Sequence, residues 1–552
     1  MGQVPVTEAP DPCGSKKDLL MTKDSDSLWA PLRFSAFRWL WVGALAMNLA
    51  IWMQNVGAAW LMVSLSASPL MVALVQTAIS LPSFFFGLPG GVFADIFDRR
   101  SYLLLTQAGM LLASITLVVC CVLGLIGPWA LLCLTFTFGI GFALQGPAWY
   151  TTQAESVPLQ FMPSAMALSS VSYSSARAIG PALAGGVVAA SGIISVFAVC
   201  AGLLLVSLIV VYKMKPQHRD NTLPPESLWA GLRGAVRYVR HSDVMRGQSI
   251  RTIAFVGFAS ALWALLPVVA SESGGGAGGY GLLLGSIGAG TMLGAIMLPM
   301  FRARLEMNFL VGLACLVYAA TGLIVALVPH TLVQCAALFF AGIAWLFIGT
   351  INLVAIQSAV APWIRARAVA IYMLVFQGSL AIGGAVWGAL ATHIGTHMAL
   401  SVASAGVALS LIAMLRYRAR LGDEAEVTPS TNGMPVFSFE ELGPRDGPVA
   451  VQIAYRILPE NRDAFLREVR ALGNKRKRDG AGFWRIYREL ENPLQYLERF
   501  VVDSWSDYLR QQIRATLADQ EIEERVKVLH SGDGPPVFSH FISETLPSNP
   551  TT

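Results

Sequence analysis

Gly91-Val92-Phe93-Ala94-Asp95-Ile96-Phe97-Asp98-Arg99-Arg100 closes a stretch that carries no charge from Leu70 to Ala94, and the contrast decides the fold. About 20 apolar residues in a helix cross a hydrocarbon core of about 30 Å. The arginines that follow stay on one side of the bilayer and fix the direction of that span. Working outward, the same pattern recurs along the chain. Apolar segments run over 38–64, 70–94, 102–124, 128–150, 165–191 and 193–213, then over 249–270, 281–301, 307–328, 331–354, 368–391 and 394–415. The 552 residues are 55% hydrophobic and 13% charged, with mean hydropathy +0.57. These values exclude a soluble globule.

Lys and Arg alternate between loops. Arg99 and Arg100, the cluster Lys213, Lys215, Arg219, Arg233, Arg237, Arg240 and Arg246, and the pairs Arg302/Arg304 and Arg365/Arg367 occupy every second loop. Lys16, Lys17, Lys23 and Arg33 precede the first span, and Arg416, Arg418 and Arg420 follow the last. The loops between, near Ser66, Gly127, Ser191, Gly275, His330 and Gly395, hold neither. By the positive-inside rule the protein is a multi-pass protein of the cytoplasmic membrane with both termini cytoplasmic. Residues 1–37 are polar, so no cleaved leader is expected and the first span serves as the insertion signal. The seven cysteines are odd in number and all but Cys13 sit in spans, which excludes a disulfide framework. The net charge of +5 suits loops facing anionic lipid and gives no sign of nucleic-acid binding.

The halves repeat. A shift of 203 residues superposes Gly91 on Gly294, Arg99 on Arg302, Gly139 on Gly342, Gly146 on Gly349 and Ala165 on Ala368. It also aligns Ile179-Gly180 with Ile382-Gly383, Gly185 with Gly388 and Gly192 with Gly395. The span boundaries come into register at the same shift. The expected fold is all-α and polytopic, with twelve transmembrane helices in two six-helix halves, followed by a small C-terminal α+β domain. The expected divisions are a tail at 1–37, halves at 38–213 and 249–416, linkers at 214–248 and 417–447, and a soluble domain at 448–545. Two parallel-oriented halves put a substrate path between them near mid-membrane.

Gly91 to Arg100 resembles the loop signature of the major facilitator superfamily, with Ile96 and Asp98 departing from its usual residues. The resemblance implies a conformational latch built from Gly91, Asp95, Arg99 and Arg100, closed on the cytoplasmic start of the eleventh span. Asp95 stands at a helix C-terminus, where the macrodipole disfavours a carboxylate and demands a cationic or amide partner. Gly180-Pro181-Ala182-Leu183-Ala184-Gly185-Gly186 is similar to the antiporter motif of the same superfamily, although small residues for close packing explain the glycines as well. Glu155-Ser156-Val157-Pro158, Ala165 to Leu168 and Ala176 to Ala182 together resemble the branch of enterobactin-type siderophore exporters and transmembrane secretion effectors. That resemblance covers residues from about 30 to 540.

Arg177 reads as the one charge deep inside a span, and its repeat-related position is Leu380. An intramembrane arginine faces the bundle interior, where it meets water, a carboxylate, an anionic or catechol-like substrate, or backbone carbonyls. Asn48, Gln54, Asn55, Gln76, Gln145, Asn352, Gln357 and Gln377 are neutral polar residues that could share its cavity or bridge helices. Glu155, at the cytoplasmic end of the fourth span, is the candidate proton carrier. No nucleotide-binding loop of the Gly-Lys-Ser/Thr type is present, which excludes direct ATP drive by that motif.

From Val449 the composition turns soluble. Val449, Val451, Ile453, Tyr455 and Ile457 alternate as a half-buried strand, and Phe465, Val469 and Leu472 repeat at helical spacing. Strands over 483–490, 495–502 and 537–542, with one helix or a broken pair before the last, complete a β-α-β-β-α-β order. This is the ferredoxin-like unit. It resembles the dimeric αβ-barrel group that includes small monooxygenases, which implies a homodimer through the tail. Trp484, Trp505, Asn492, His530 and His540 are its pocket candidates, with no metal-ligand or cofactor spacing among them. Lys475-Arg476-Lys477-Arg478 reads as a basic loop facing lipid or solvent. The leading function is proton-coupled export of a small amphipathic, siderophore-like metabolite or drug, with no catalysis, cofactor or metal. The alternatives are a transporter–enzyme fusion and an importer or sensor.

Overall fold

The computed structural model describes residues 29–214, 240, 242–360, 365–418, 428, 443, 446–513 and 515–544, with the side chains of Val92, Asp95, Leu159, Asp243, Ala366, Arg367, Gln512 and Ile513 outside that set. The N-terminal tail before Trp29, the linker at 215–239 and most of the linker at 419–445 lie outside it too. Twelve long helices are present: α1 (Ser35–Leu65), α2 (Pro69–Ile96), α3 (Arg99–Val122), α4 (Pro128–Glu155), α5 (Met162–Ser191), α6 (Ile193–Lys213), α7 (Asp243–Glu272), α8 (Gly276–Arg302), α9 (Met307–Leu327), α10 (Thr331–Ala359), α11 (Arg365–Ile394) and α12 (Thr396–Arg416). Each falls on one predicted segment. Eleven are long and apolar enough to cross a membrane by length and composition. The remaining helix, α5, has 30 residues but carries Arg177 and a series of serines. Ser169 and Ser170 donate to the carbonyls of Ala165 and Met166 at 2.9 and 3.0 Å, so these hydroxyls are satisfied within their own helix.

Local chemistry sets the helix ends. Proline at the first turn starts α2, α4 and α5, where its missing N–H costs nothing. Asp98 caps α3 by accepting from the Ser101 amide at 2.9 Å, which explains an aspartate at that point of the loop. Gly192 and Gly395 join α5 to α6 and α11 to α12 at φ 85° and 86°, a backbone shape that glycine adopts without strain.

The 203-residue repeat becomes geometry. In the first half α1 packs on α5 and α6, α4 on α2 and α3, and α3 on α6; in the second, α7 packs on α11 and α12, α10 on α8 and α9, and α9 on α12. Matched glycines serve matched contacts. A methyl on Gly139 would stand 2.9 Å from Pro82 of α2, and one on Gly342 would meet the backbone of Ile287 in α8. Gly180 lies against Trp52 of α1 at 2.8 Å, and Gly383 against Ser260 and Gly257 of α7.

The halves meet along two seams, α5 on α8 and α2 on α11. Gly185 and Gly281 would collide at 2.9 Å if either carried a side chain, and Gly288 abuts Ala178. On the other seam Gly388 lies against Ala73 and Leu70, Gly384 is 3.3 Å from Thr77 Oγ1, and Thr77 donates to the Ala381 carbonyl at 2.8 Å. The Gly185–Gly281 and Gly388–Leu70 contacts lie toward the helix ends that bear the loops without Lys or Arg, whereas Gly288 on Ala178 lies near mid-helix. Toward the basic loops, two small apolar clusters stand beside the main core, each within one half. Phe37, Val157, Ala165 and Leu168 belong to the first half; Met245, Ile356, Val360, Ala368, Ile371 and Tyr372 belong to the second.

The tail holds β1 (Val449–Arg456), α13 (Arg462–Asp479), β2 (Phe483–Arg488), β3 (Gln495–Val502), α14 (Trp505–Ile513), α15 (Leu517–Val528) and β4 (Val537–Ile542). Its antiparallel sheet runs β2-β3-β1-β4, the ferredoxin-like arrangement. Val451, Ile453, Phe465, Val469 and Phe500 fill the core between sheet and helices. On the opposite sheet face Phe483, Tyr487, Val537 and Phe541 are exposed. The Lys475 to Arg478 run corrects a sequence expectation. It is helical, inside α13, because its aliphatic stems and charges face partners within the domain. Lys475 and Arg476 are buried and pair with Glu523 at 2.8 and 3.2 Å, Lys477 lies over the Trp484 ring, and Arg478 pairs with Asp519 at 2.8 Å.

Candidate functional site: a guanidinium between the halves

A cavity of about 40 Å³ lies between the halves, lined by Trp52, Asn55 and Ala59 of α1, Val72 and Gln76 of α2, Trp263 and Pro267 of α7, and Tyr280 of α8. Arg177 of α5 reaches the same two tryptophans. Its guanidinium carbon stands 5.5 Å from the Trp52 ring centroid and 5.6 Å from that of Trp263. One indole comes from each half, so the cation bridges them. Cation–π contacts of this kind contribute about 0.5–2 kcal/mol, more as water is excluded. The shelves are themselves braced. Trp52 meets Tyr173 edge-on, and Trp263 packs on Trp345, which touches Phe255, Tyr318 and Phe376.

Among the described residues Arg177 has no carboxylate partner, and its Nε is buried without a hydrogen bond, as is Trp52 Nε1. No Asp or Glu lines the cavity. A site rich in donors and poor in acceptors favours an anionic or oxygen-rich group next to apolar, flat surfaces. At the cavity edge Trp60 of α1 stacks on Tyr280 of α8 with centroids 6.2 Å apart. That contact also crosses between the halves.

The other polar candidates divide. Asn55 and Gln76 line the cavity, and Gln76 donates to Ser80 Oγ at 2.9 Å. Gln54 instead accepts from Ser114 of α3 at 3.4 Å, Gln145 lies 3.3 Å from Met110 Sδ, and Asn48 is 3.5 Å from Ser172 Oγ. These three belong to packing within the first half. Asn352 is buried with Oδ1 unpartnered, Gln377 is half-buried and Gln357 is exposed.

Around the basic loop, Arg99 forms an ion pair with Glu155 of α4. Arg100 donates to the Tyr212 carbonyl at 2.5 Å and lies over its ring. Both contacts stay within the first half. Gly91 has open space around its Cα, whereas its neighbour Gly90 lies 3.1 Å from the Leu144 backbone and is the glycine that close approach requires. Of the antiporter-like motif, Gly180 seats Trp52, Gly185 forms the seam with α8, Pro181 lies buried inside α5, and Gly186 faces open space. In the tail Trp505 and His540 both meet Tyr508, and the other pocket candidates make separate contacts. Trp484 donates to Glu498 at 2.9 Å, the His530 ring accepts from the Arg456 amide at 2.9 Å, and His540 meets the Tyr508 hydroxyl at 2.6 Å. A surface groove of about 530 Å³ between α13 and α15 contains none of them.

Two features escaped the sequence. Trp52 and Trp263 gave no local signal as a clamp, although the 203-residue shift pairs Trp263 with Trp60. The segment predicted over 249–270 has Arg251 near its start, but α7 begins at Asp243 and puts it about two turns inside, buried. Arg177 is therefore not the only charge within the bundle.

The family described as transmembrane secretion effector matches residues 26–548. The chain is similar to an uncharacterized MFS-type transporter, YfiS, of Bacillus subtilis (strain 168), at 32% identity over 148 residues. The match takes in 27% of this chain and 34% of that relative, so the chain spans about a third of the length of the curated relative it matches. Among solved structures the fold is similar to a peptide transporter of the POT type, with TM-score 0.58 and 13% identity over 70% of this chain and 96% of that one. It is also similar to a bacterial homolog of the human lysosomal transporter Spinster in an inward-facing, unoccupied conformation, with TM-score 0.52 and 17% identity over 70% and 98% of the chains. The nucleoside transporter NupG gives TM-score 0.54 and 12% identity over 69% of this chain and all of its own. At these identities the likeness is one of fold.

Proposed function

Since the chain belongs to the transmembrane secretion effector family of major-facilitator-type transporters, we propose that it exports a small amphipathic metabolite bearing an anionic or catechol-like group, siderophore-like in character. One observation carries the proposal: Arg177 is held against an indole of each half, and the same two indoles line a cavity without a carboxylate. A cargo that binds there touches both halves at once and so couples to their relative motion. The close glycine contacts between the halves at the loop-poor ends fit an inward-open state of an alternating-access cycle. The antiporter-like motif on the α5 seam supports export over import.

The drive is proposed to be the proton gradient, with Glu155 as the carrier beside Arg99. Asp95 is proposed to latch one state through the start of α11. The cytoplasmic membrane, with both termini inside, is the proposed location. The tail is proposed to assemble two copies through the exposed face that carries Phe483, Tyr487, Val537 and Phe541. The experiment compares small anionic molecules in the medium and cytosol of cells with and without the gene. A compound retained inside the deletion strain and released again on complementation supports export. Identical pools in both strains would sink it.

A further inference from the structure

Arg251 is a second buried arginine, and no described residue neutralises it. It is 1% exposed, and its Nε, Nη1 and Nη2 have no hydrogen-bond partner among the described residues. No Asp or Glu occurs anywhere from Met307 to Arg416, the sequence that builds α9 to α12. The acids of α7 are Asp243 and Glu272 at its two ends, and Glu272 is engaged by Thr396 and His397 at 3.2 Å each. A guanidinium keeps its proton, and an unpaired buried charge is among the costliest things a fold can hold. Cys315 of α9 and Tyr372 of α11 lie close enough to interact with it electrostatically, but both are neutral as thiol and phenol. Cys315 in turn contacts Met414 of α12 at 3.4 Å and the neutral Ser410 hydroxyl at 3.9 Å. Gln248, one turn before Arg251 on α7, also has a buried, unpartnered Nε2 donor.

We infer that Arg251 and Gln248 bind a small monovalent inorganic anion, of the size of chloride, inside the second half. One cation among neutral neighbours calls for one negative charge. Enclosure by packed helices favours a monatomic ion over a larger oxyanion. The repeat-related residue of the first half is Asn48, which is neutral and lies near Ser172. The anion is therefore confined to one half and is independent of the cargo held at Arg177.

The test uses the purified full chain in gluconate at constant ionic strength, titrated with chloride or bromide, and bromide-soaked crystals read by anomalous diffraction. The Tm of the wild type should rise with halide concentration, and a bromide peak should stand within hydrogen-bond reach of the Arg251 guanidinium. Arg251→Met should lose the halide dependence, while Arg177→Gln keeps it. Should Arg251→Met fail to fold, the wild-type bromide peak decides alone. A Tm indifferent to halide with no peak at Arg251, a peak at Arg177 only, or stabilisation by sulfate but not halide would each overturn the inference.

Discussion

Arg177 concentrates the functional argument in one side chain. Lysine keeps the charge but loses the planar fork that stacks between Trp52 and Trp263, whereas glutamine loses both. A charge-assisted hydrogen bond is worth about 1.5–3 kcal/mol, so Arg177→Gln should lower transport at least about tenfold with normal insertion. Arg177→Lys should retain an intermediate rate, both measured at matched protein levels. If both variants fail to fold, the residue is a tether between helices and not a reader of cargo. The arginine itself was legible, because a charge in an apolar run stands out in any sequence. Its clamp was not. Trp52 and Trp263 are ordinary residues of apolar segments, and only the meeting of α1, α5 and α7 gives them a role. Arg251 gave no signal for a different reason. Hydropathy locates the apolar middle of a helix, while α7 extends past that middle toward its basic end.

At the scale of elements, the seams and the tail make opposite demands on side chains. Gly185→Val would force a branched side chain against Gly281, whereas a methyl at Gly186 meets nothing within 4 Å. Gly185→Val should therefore abolish or strongly reduce transport and shift thiol-labelling accessibility at the α5–α8 seam, while Gly186→Ala behaves as wild type. Equal effects of the two would mean that the motif acts through something other than contact. The alignment of Gly185 with Gly388 hinted at this, since both positions turned out to hold inter-half seams. In the tail, the Lys475 to Arg478 run misled because charge density alone reads as solvated surface. The acids that bury it, Glu498, Asp519 and Glu523, lie between 22 and 48 residues further on. Removing one partner of a buried pair costs about 3–5 kcal/mol. Arg476→Met should accordingly destabilise the tail by that order in chemical denaturation followed by tryptophan fluorescence, and an unchanged midpoint would show the network to be dispensable. Burial would raise the Glu523 carboxyl, but Arg476 and Lys475 outweigh it and hold the group down at about 2, below its ordinary 4.5. A carboxyl depressed on folding stabilises fully above its unfolded pKa and loses that contribution as pH falls toward the folded one. Tail stability should thus decline between about pH 4.5 and 2, and Glu523→Gln should flatten that decline.

For the whole molecule, the repeat is the property the sequence carried most openly, because each half must solve the same packing problem with the same small residues. The polar tail was equally clear from its alternating strands, and we propose from its dissimilar composition that it folds as a separate unit. Deleting residues 445–552 should leave a membrane-inserted bundle, with a loss of dimers on crosslinking if the tail assembles two copies. The central claim is that cargo is moved by rocking two halves around a guanidinium that touches both. It is tested most directly in proteoliposomes containing the purified protein, an imposed proton gradient and the anionic compound that deletion cells retain. Wild-type protein should move that compound against its gradient, Arg177→Lys should move it more slowly, and Arg177→Gln should scarcely move it. Transport by correctly folded Arg177→Gln at the wild-type rate would contradict the account.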